Sequence, residues 1–154
     1  MRLFVAALVL AAVVPARAHH PFTPYYDAST LESVTGVVVE LRDVNPHVVL
    51  IVDGTTTDGR SGTWAFEGLP PNVFQYRGVK DFRDKLRTGT RMTISGWAAT
   101  DPAARAFSGR EVTFADGSTM LFGISTPERN KGGDGWRCRS EPCPVYSYPE
   151  VPSN

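Results

Sequence analysis

The chain has 154 residues, 16 basic and 16 acidic side chains, and 42% hydrophobic residues, enough for one domain with its own core rather than two. Zero formal net charge and only three lysines, Lys80, Lys85 and Lys131, supply no concentrated basic patch, which weighs against nucleic acid and against anionic membrane surfaces.

Met1 to Ala18 reads as a secretory signal peptide. Arg2 is the positive n-region, Leu3 to Val14 is an unbroken apolar stretch, and Pro15 ends it. Ala16-Arg17-Ala18 places small residues where a signal peptidase reads them. The apolar run is shorter than the roughly 20 residues a bilayer-spanning helix needs, and no other stretch is longer, so no membrane span is expected in the mature chain. Cleavage after Ala18 makes His19 the first residue; cleavage after Ala16 is the alternative. Losing Arg2 and Arg17 leaves 14 basic residues against 16 acidic ones. The expected location is the periplasm or the exterior.

Residues 19–32 (beginning HHPFTPYYDAST) are aromatic and proline-bearing, and predict an extended N-terminal arm docked on a core. Residues 33–123 carry the β pattern. Val34 to Val44 is β-branched and reads as the first strand, with Gly36 as a bulge or bend. Asn45-Pro46 interrupts it, because proline donates no hydrogen bond to a ladder. His47 to Asp53 and Thr63 to Glu67 read as a hairpin across a Thr/Gly/Asp loop. Pro70-Pro71-Asn72 opens a short helix through Arg77, with proline in its first turn. Lys80 to Gly89 is a charged connection, and Asp81, Asp84 and Lys85 on it look like solvated surface. Arg91 to Ala98 and Arg110 to Phe114 supply strands four and five. Asp116-Gly117 marks a turn before a short return over Thr119 to Phe122. Three strands, one helix and two strands predict a small five-stranded barrel like the oligonucleotide/oligosaccharide-binding (OB) fold, its helix between strands three and four. An open sandwich is the alternative. Trp64, Phe66, Trp97, Phe107 and Phe114 are assigned to core or rim.

Residues 124–154 are rich in proline, glycine and charge and poor in aliphatics, and read as a loose tail. Cys138 and Cys143, separated by Arg-Ser-Glu-Pro, are expected to close a local disulfide in an oxidising compartment. A metal reading for them lacks two further ligands.

The candidate site rests on the three histidines, His19, His20 and His47. Cleavage after Ala18 gives His19 a free α-amine, which chelates together with its own Nδ1. A distant histidine, His47, completes a nitrogen site suited to copper(II), which stands highest among the divalent ions in affinity. If Asp53 lies opposite Thr63, then Val48, Leu50 and Val52 share a face with Trp64 and Phe66, and His47 falls near Glu67 on the other. Glu67 then orients His47 or ligates directly. The competing reading leaves His19 and His20 solvated and His47 bonded to a carbonyl. Ser61, Ser95 and Ser108 have no nucleophile-elbow context, and no catalytic set emerges.

Ala18-His19-His20, Val34-Thr35-Gly36, Asn45-Pro46-His47, Trp64-Ala65-Phe66-Glu67 and Pro71-Asn72, in this order, resemble a family of exported bacterial proteins, domain of unknown function 6152. The resemblance extends to about Phe122 and implies an exported OB-like barrel without an established activity. Where an aromatic residue often precedes Asn-Pro-His in that family, Asp43-Val44 stand here, and the cysteine-bearing tail is not one of its features. The first functional expectation is a non-catalytic binding module for a protein or small molecule. The second is a periplasmic copper-binding protein using His19, His47 and His20 or Glu67. An enzyme ranks third.

Overall fold

The computed structural model describes Phe22, residues 25–124 and residues 149–152. The expected signal peptide, His19, His20 and the cysteine pair lie outside them. The described chain is mostly β. Its strands are β1 (Tyr26–Arg42), β2 (Val49–Thr56), β3 (Ser61–Glu67), β4 (Arg91–Ala99), β5 (Ala106–Phe114) and β6 (Thr119–Leu121). Two short helices, α1 (Pro71–Tyr76) and α2 (Phe82–Lys85), join β3 to β4. Among the described residues no helix is long and apolar enough to cross a membrane.

The strands lie in the order β3-β2-β1-β4-β5-β6, and β3 also pairs with β5 in parallel. That pairing, Ala65↔Ala106 to Glu67↔Ser108, turns β1, β2, β3, β5 and β4 into a ring of neighbours. Inside it lie Val34, Leu50, Val52, Trp64, Phe66, Ile94, Phe107 and Val112, all buried. Phe66 and Phe107 stack across the parallel pair with centroids 4.8 Å apart. Burying one such side chain contributes about 1.5–3 kcal/mol. Trp64 is also covered by the guanidinium groups of Arg60 and Arg105, 5.2 and 5.6 Å from its ring.

Several expectations are corrected here. Among the described residues there are six strands rather than five, because Thr119–Leu121 pairs fully with Glu111–Thr113. The connection after α1 is not wholly solvated. Phe82 and Leu86, four residues apart and therefore on one face, are both buried in the core, and Phe74 of α1 stacks on Phe82 at 4.4 Å. Asp81 and Lys85 on the other side form an exposed ion pair at 3.2 Å, as expected of a solvated face. Strand β1 begins at Tyr26, so half of the expected arm is ladder, paired through Tyr26↔Ala99 and Leu31↔Trp97. Its register shifts between Val38 and Glu40 against β2 and between Tyr26 and Leu31 against β4, not at Gly36.

Gly36 has another use. It faces Gly54 across β1 and β2, and a Cβ on Gly36 would lie 2.7 Å from the Gly54 Cα. The two strands approach this closely because neither residue carries a side chain.

Candidate functional site

Sequence alternation fixes the hairpin. Val52 opposes Trp64, Leu50 opposes Phe66 and Asp53 opposes Thr63, the expected register. The last β2–β3 pair is Val49↔Glu67. Beyond it the chains stay joined, because Val48 N–H donates to the Leu69 carbonyl at 3.1 Å and Gly68 N–H to the Val48 carbonyl at 2.7 Å. His47, entering from the Asn45–Pro46 turn, whose peptide is cis, is thereby held beside Glu67 and Gly68.

Two contacts of the imidazole are with Gly68 and Glu67. Nδ1 lies 2.9 Å from the Gly68 carbonyl oxygen. A carbonyl only accepts, so Nδ1 carries hydrogen and donates. Nε2 lies 3.5 Å from Glu67 Oε1. Glu67 is only 7% exposed, whereas the His47 side chain is 21% exposed, so the carboxylate forms the inner side of the pair.

The other carboxylate oxygen is also engaged. The Tyr26 hydroxyl donates to Glu67 Oε2 at 2.8 Å. Tyr26 is 1% exposed and packs against Phe22 and Trp97, with Phe22–Tyr26 centroids at 5.6 Å and Phe22–Trp97 edge to face at 5.7 Å. Three separate elements thus converge: the start of β1, the entry to β2 and the end of β3, whose Glu67 is itself paired on both sides, with Val49 and Ser108.

Of the four expected ligands, His47 and Glu67 come together, and His19 and His20 lie outside the described residues. Among the described residues no group of three or more histidine, cysteine, aspartate or glutamate side chains gathers into a metal cluster. Ser61 Oγ pairs with the Thr55 hydroxyl at 2.9 Å, and Ser95 Oγ donates to the Glu111 carbonyl at 3.3 Å. Trp64, Phe66, Trp97 and Phe107 are buried, as expected of core residues. The competing reading anticipated a carbonyl partner for His47, which the structure supplies at Gly68, whereas Tyr26 was missed. Tyr26 was one aromatic among several in a stretch without periodicity, and its partner is 41 residues away.

A family model described as "Family of unknown function (DUF6152)" matches residues 7–107 of the chain. No curated protein matches, and no solved structure matches.

Proposed function

We propose, from the premise that this chain belongs to DUF6152, a family of unknown function, that it is an exported, non-catalytic OB-like binding module and that its ligand is a copper ion taken at His47. The ring order β1-β2-β3-β5-β4, with the helical segment between β3 and β4, supports the OB-like reading. Apolar residues followed by Ala16-Arg17-Ala18 support export.

The observation that carries the ligand is the 3.5 Å between His47 Nε2 and Glu67 Oε1. With Nδ1 donating to Gly68, Nε2 faces a carboxylate oxygen, and an Nε2 without its proton would join that oxygen in attracting a cation. The separation is long for a hydrogen bond, yet two donors this far apart can share one ion at ordinary bond lengths of about 2.0–2.2 Å. An imidazole nitrogen suits copper, and the amine and Nδ1 of His19 would add nitrogen donors if cleavage follows Ala18. His20 is the other N-terminal donor. In such a site Glu67 either ligates through Oε1 or holds His47 in place.

Copper(II) titration of the exported chain tests this. The parent should take one ion per chain. His47→Ala should weaken binding at least 100-fold, and Glu67→Gln about 10–100-fold, the usual loss when a ligand's support is removed. One extra residue ahead of His19 should also weaken binding, because a peptide nitrogen replaces the amine. Parent-like affinity in His47→Ala would overturn the proposal.

A further inference from the structure

Charge is unevenly spread along the folded domain. Residues 77–91 carry six basic side chains, Arg77, Lys80, Arg83, Lys85, Arg87 and Arg91, against two acidic ones. Residues 25–76 carry two basic against seven acidic, and residues 92–124 two against three. All six cations are exposed, whereas Phe82 and Leu86 of the same segment are buried in the core, so the segment turns its charge outward. A net charge of zero weighs against an anionic surface as partner only if the charges are mixed, and here they are not. We propose that residues 76–91 form a docking surface for an anionic lipid bilayer, with Tyr76 as its aromatic anchor.

The segment is held to the ring by its backbone. Val38 N–H donates to the Thr90 carbonyl and Gly89 N–H to the Val38 carbonyl, both at 2.9 Å, and Val79 N–H donates to the Phe74 carbonyl at 2.9 Å. Arg83 is spent on Asp43 and Lys85 on Asp81, but Arg77, Lys80, Arg87 and Arg91 form no ion pair among the described residues. The chain itself has little to answer them with. Glu32 and Asp58 are taken by Arg60, and Glu40 by Arg42, so a second copy presents few free carboxylates. Residues 125–154 hold four basic and four acidic side chains, and no surplus of negative charge.

Apolar side chains at the same place distinguish a bilayer from a soluble polyanion. Tyr76, next to Arg77, is 85% exposed. Val39, 42% exposed, lends its carbonyl to the Thr88 hydroxyl at 3.0 Å, and Val44, 52% exposed, follows the Asp43 that pairs with Arg83. Tyrosine suits the membrane–water interface, where its ring is covered and its hydroxyl stays wet, while arginine and lysine draw anionic headgroups. The domain would lie on such a surface without entering it, in keeping with the absence of a spanning helix among the described residues.

Flotation of the full exported chain with lipid vesicles tests this, with a chelator present so that copper plays no part. The parent should float with vesicles of phosphatidylcholine and phosphatidylglycerol in equal parts, and not with phosphatidylcholine alone. Raising salt from ~0.1 to ~1 M, which shortens the screening length from roughly 10 to 3 Å, should release it. The variant R77Q/K80Q/R87Q should keep the parent melting temperature and bind the mixed vesicles about a hundredfold more weakly, roughly fivefold for each cation removed. Tyr76→Ser should weaken binding about tenfold, and Tyr76→Trp should keep it. Equal flotation on both kinds of vesicle, or on neither, would overturn the proposal, as would parent-like binding by the triple variant. Binding to soluble polyphosphate without flotation would make the partner an anionic polymer instead. Self-association of the parent that the triple variant loses, without flotation, would make it a second copy.

Discussion

Asp27, Asp58 and Asp116 each tie down a turn by accepting hydrogen bonds two residues away along the chain. Asp27 Oδ1 takes the Ser29 amide and hydroxyl at 2.8 and 2.7 Å, and Asp116 Oδ1 takes those of Ser118 at 2.9 and 2.6 Å. Asp58 accepts the Thr56 hydroxyl and Arg60 Nε. The Ser29, Thr56 and Ser118 hydroxyls are the main reason these three carboxyls lie below the ordinary carboxylate range. A carboxyl whose folded value is depressed adds stability above its unfolded value of about 3.9 and loses it as pH falls through the folded value. The urea midpoint should therefore be steady from pH 7 to 5 and fall toward pH 3. The triple variant D27N/D58N/D116N should flatten that fall. A parent midpoint equal at pH 7 and pH 3 would contradict the assignment. Asp116-Gly117 was legible in the sequence as a turn. The Asp58 loop was legible only as loop, since nothing in its composition says which hydroxyl will face which carboxylate.

Among the elements, β1 and β2 show most clearly what alternation can and cannot convey. With Asp53 taken to lie opposite Thr63, alternation brought His47 near Glu67, and the hairpin has that register. The glycines were harder. Gly36 looked like a bulge, whereas the close approach depends on Gly54 standing opposite it, and that pairing joins two strands whose register the sequence does not state. A Cβ on Gly54 would come 2.5 Å from the Thr35 carbonyl oxygen, which is backbone and cannot rotate away. Gly36→Ala and Gly54→Ala should each cost about 1–3 kcal/mol, the usual range for overpacking, measurable by urea unfolding. A loss below about 0.5 kcal/mol in both would show that the strands can part without cost. On the opposite face, Ser61, Thr55, Thr35, Thr93, Thr113 and Thr119 stand in one register row across all six strands. Two neighbouring pairs in it share hydrogen bonds, Thr35 with Thr93 at 2.8 Å and Thr55 with Ser61 at 2.9 Å. Such pairs contribute about 0.2–1 kcal/mol each. The row was invisible in the sequence, because it runs across strands rather than along them.

At the scale of the whole molecule, the ring depends on long-range pairings. The parallel contact of β3 with β5 and the pairing of β1 with β4 bring together segments separated by tens of residues. The succession of strands and the place of the helical segment could be anticipated, but the convergence of Tyr26, His47 and Glu67 could not be read in full. Local alternation brought His47 to Glu67, while Tyr26 arrived through the β1–β4 ladder. Residues 149–152 also return to the fold, where the Glu150 carbonyl accepts Arg42 Nη1 at 2.8 Å, a contact the tail's composition gave no reason to expect. The account turns on a cation at His47, and the most direct test is a native mass spectrum of the protein exported by its own N-terminal segment and purified without chelators or tags. The account predicts a chain starting at His19 that carries one copper ion through dilution. A chain starting at His19 that holds no metal after copper is supplied would contradict it.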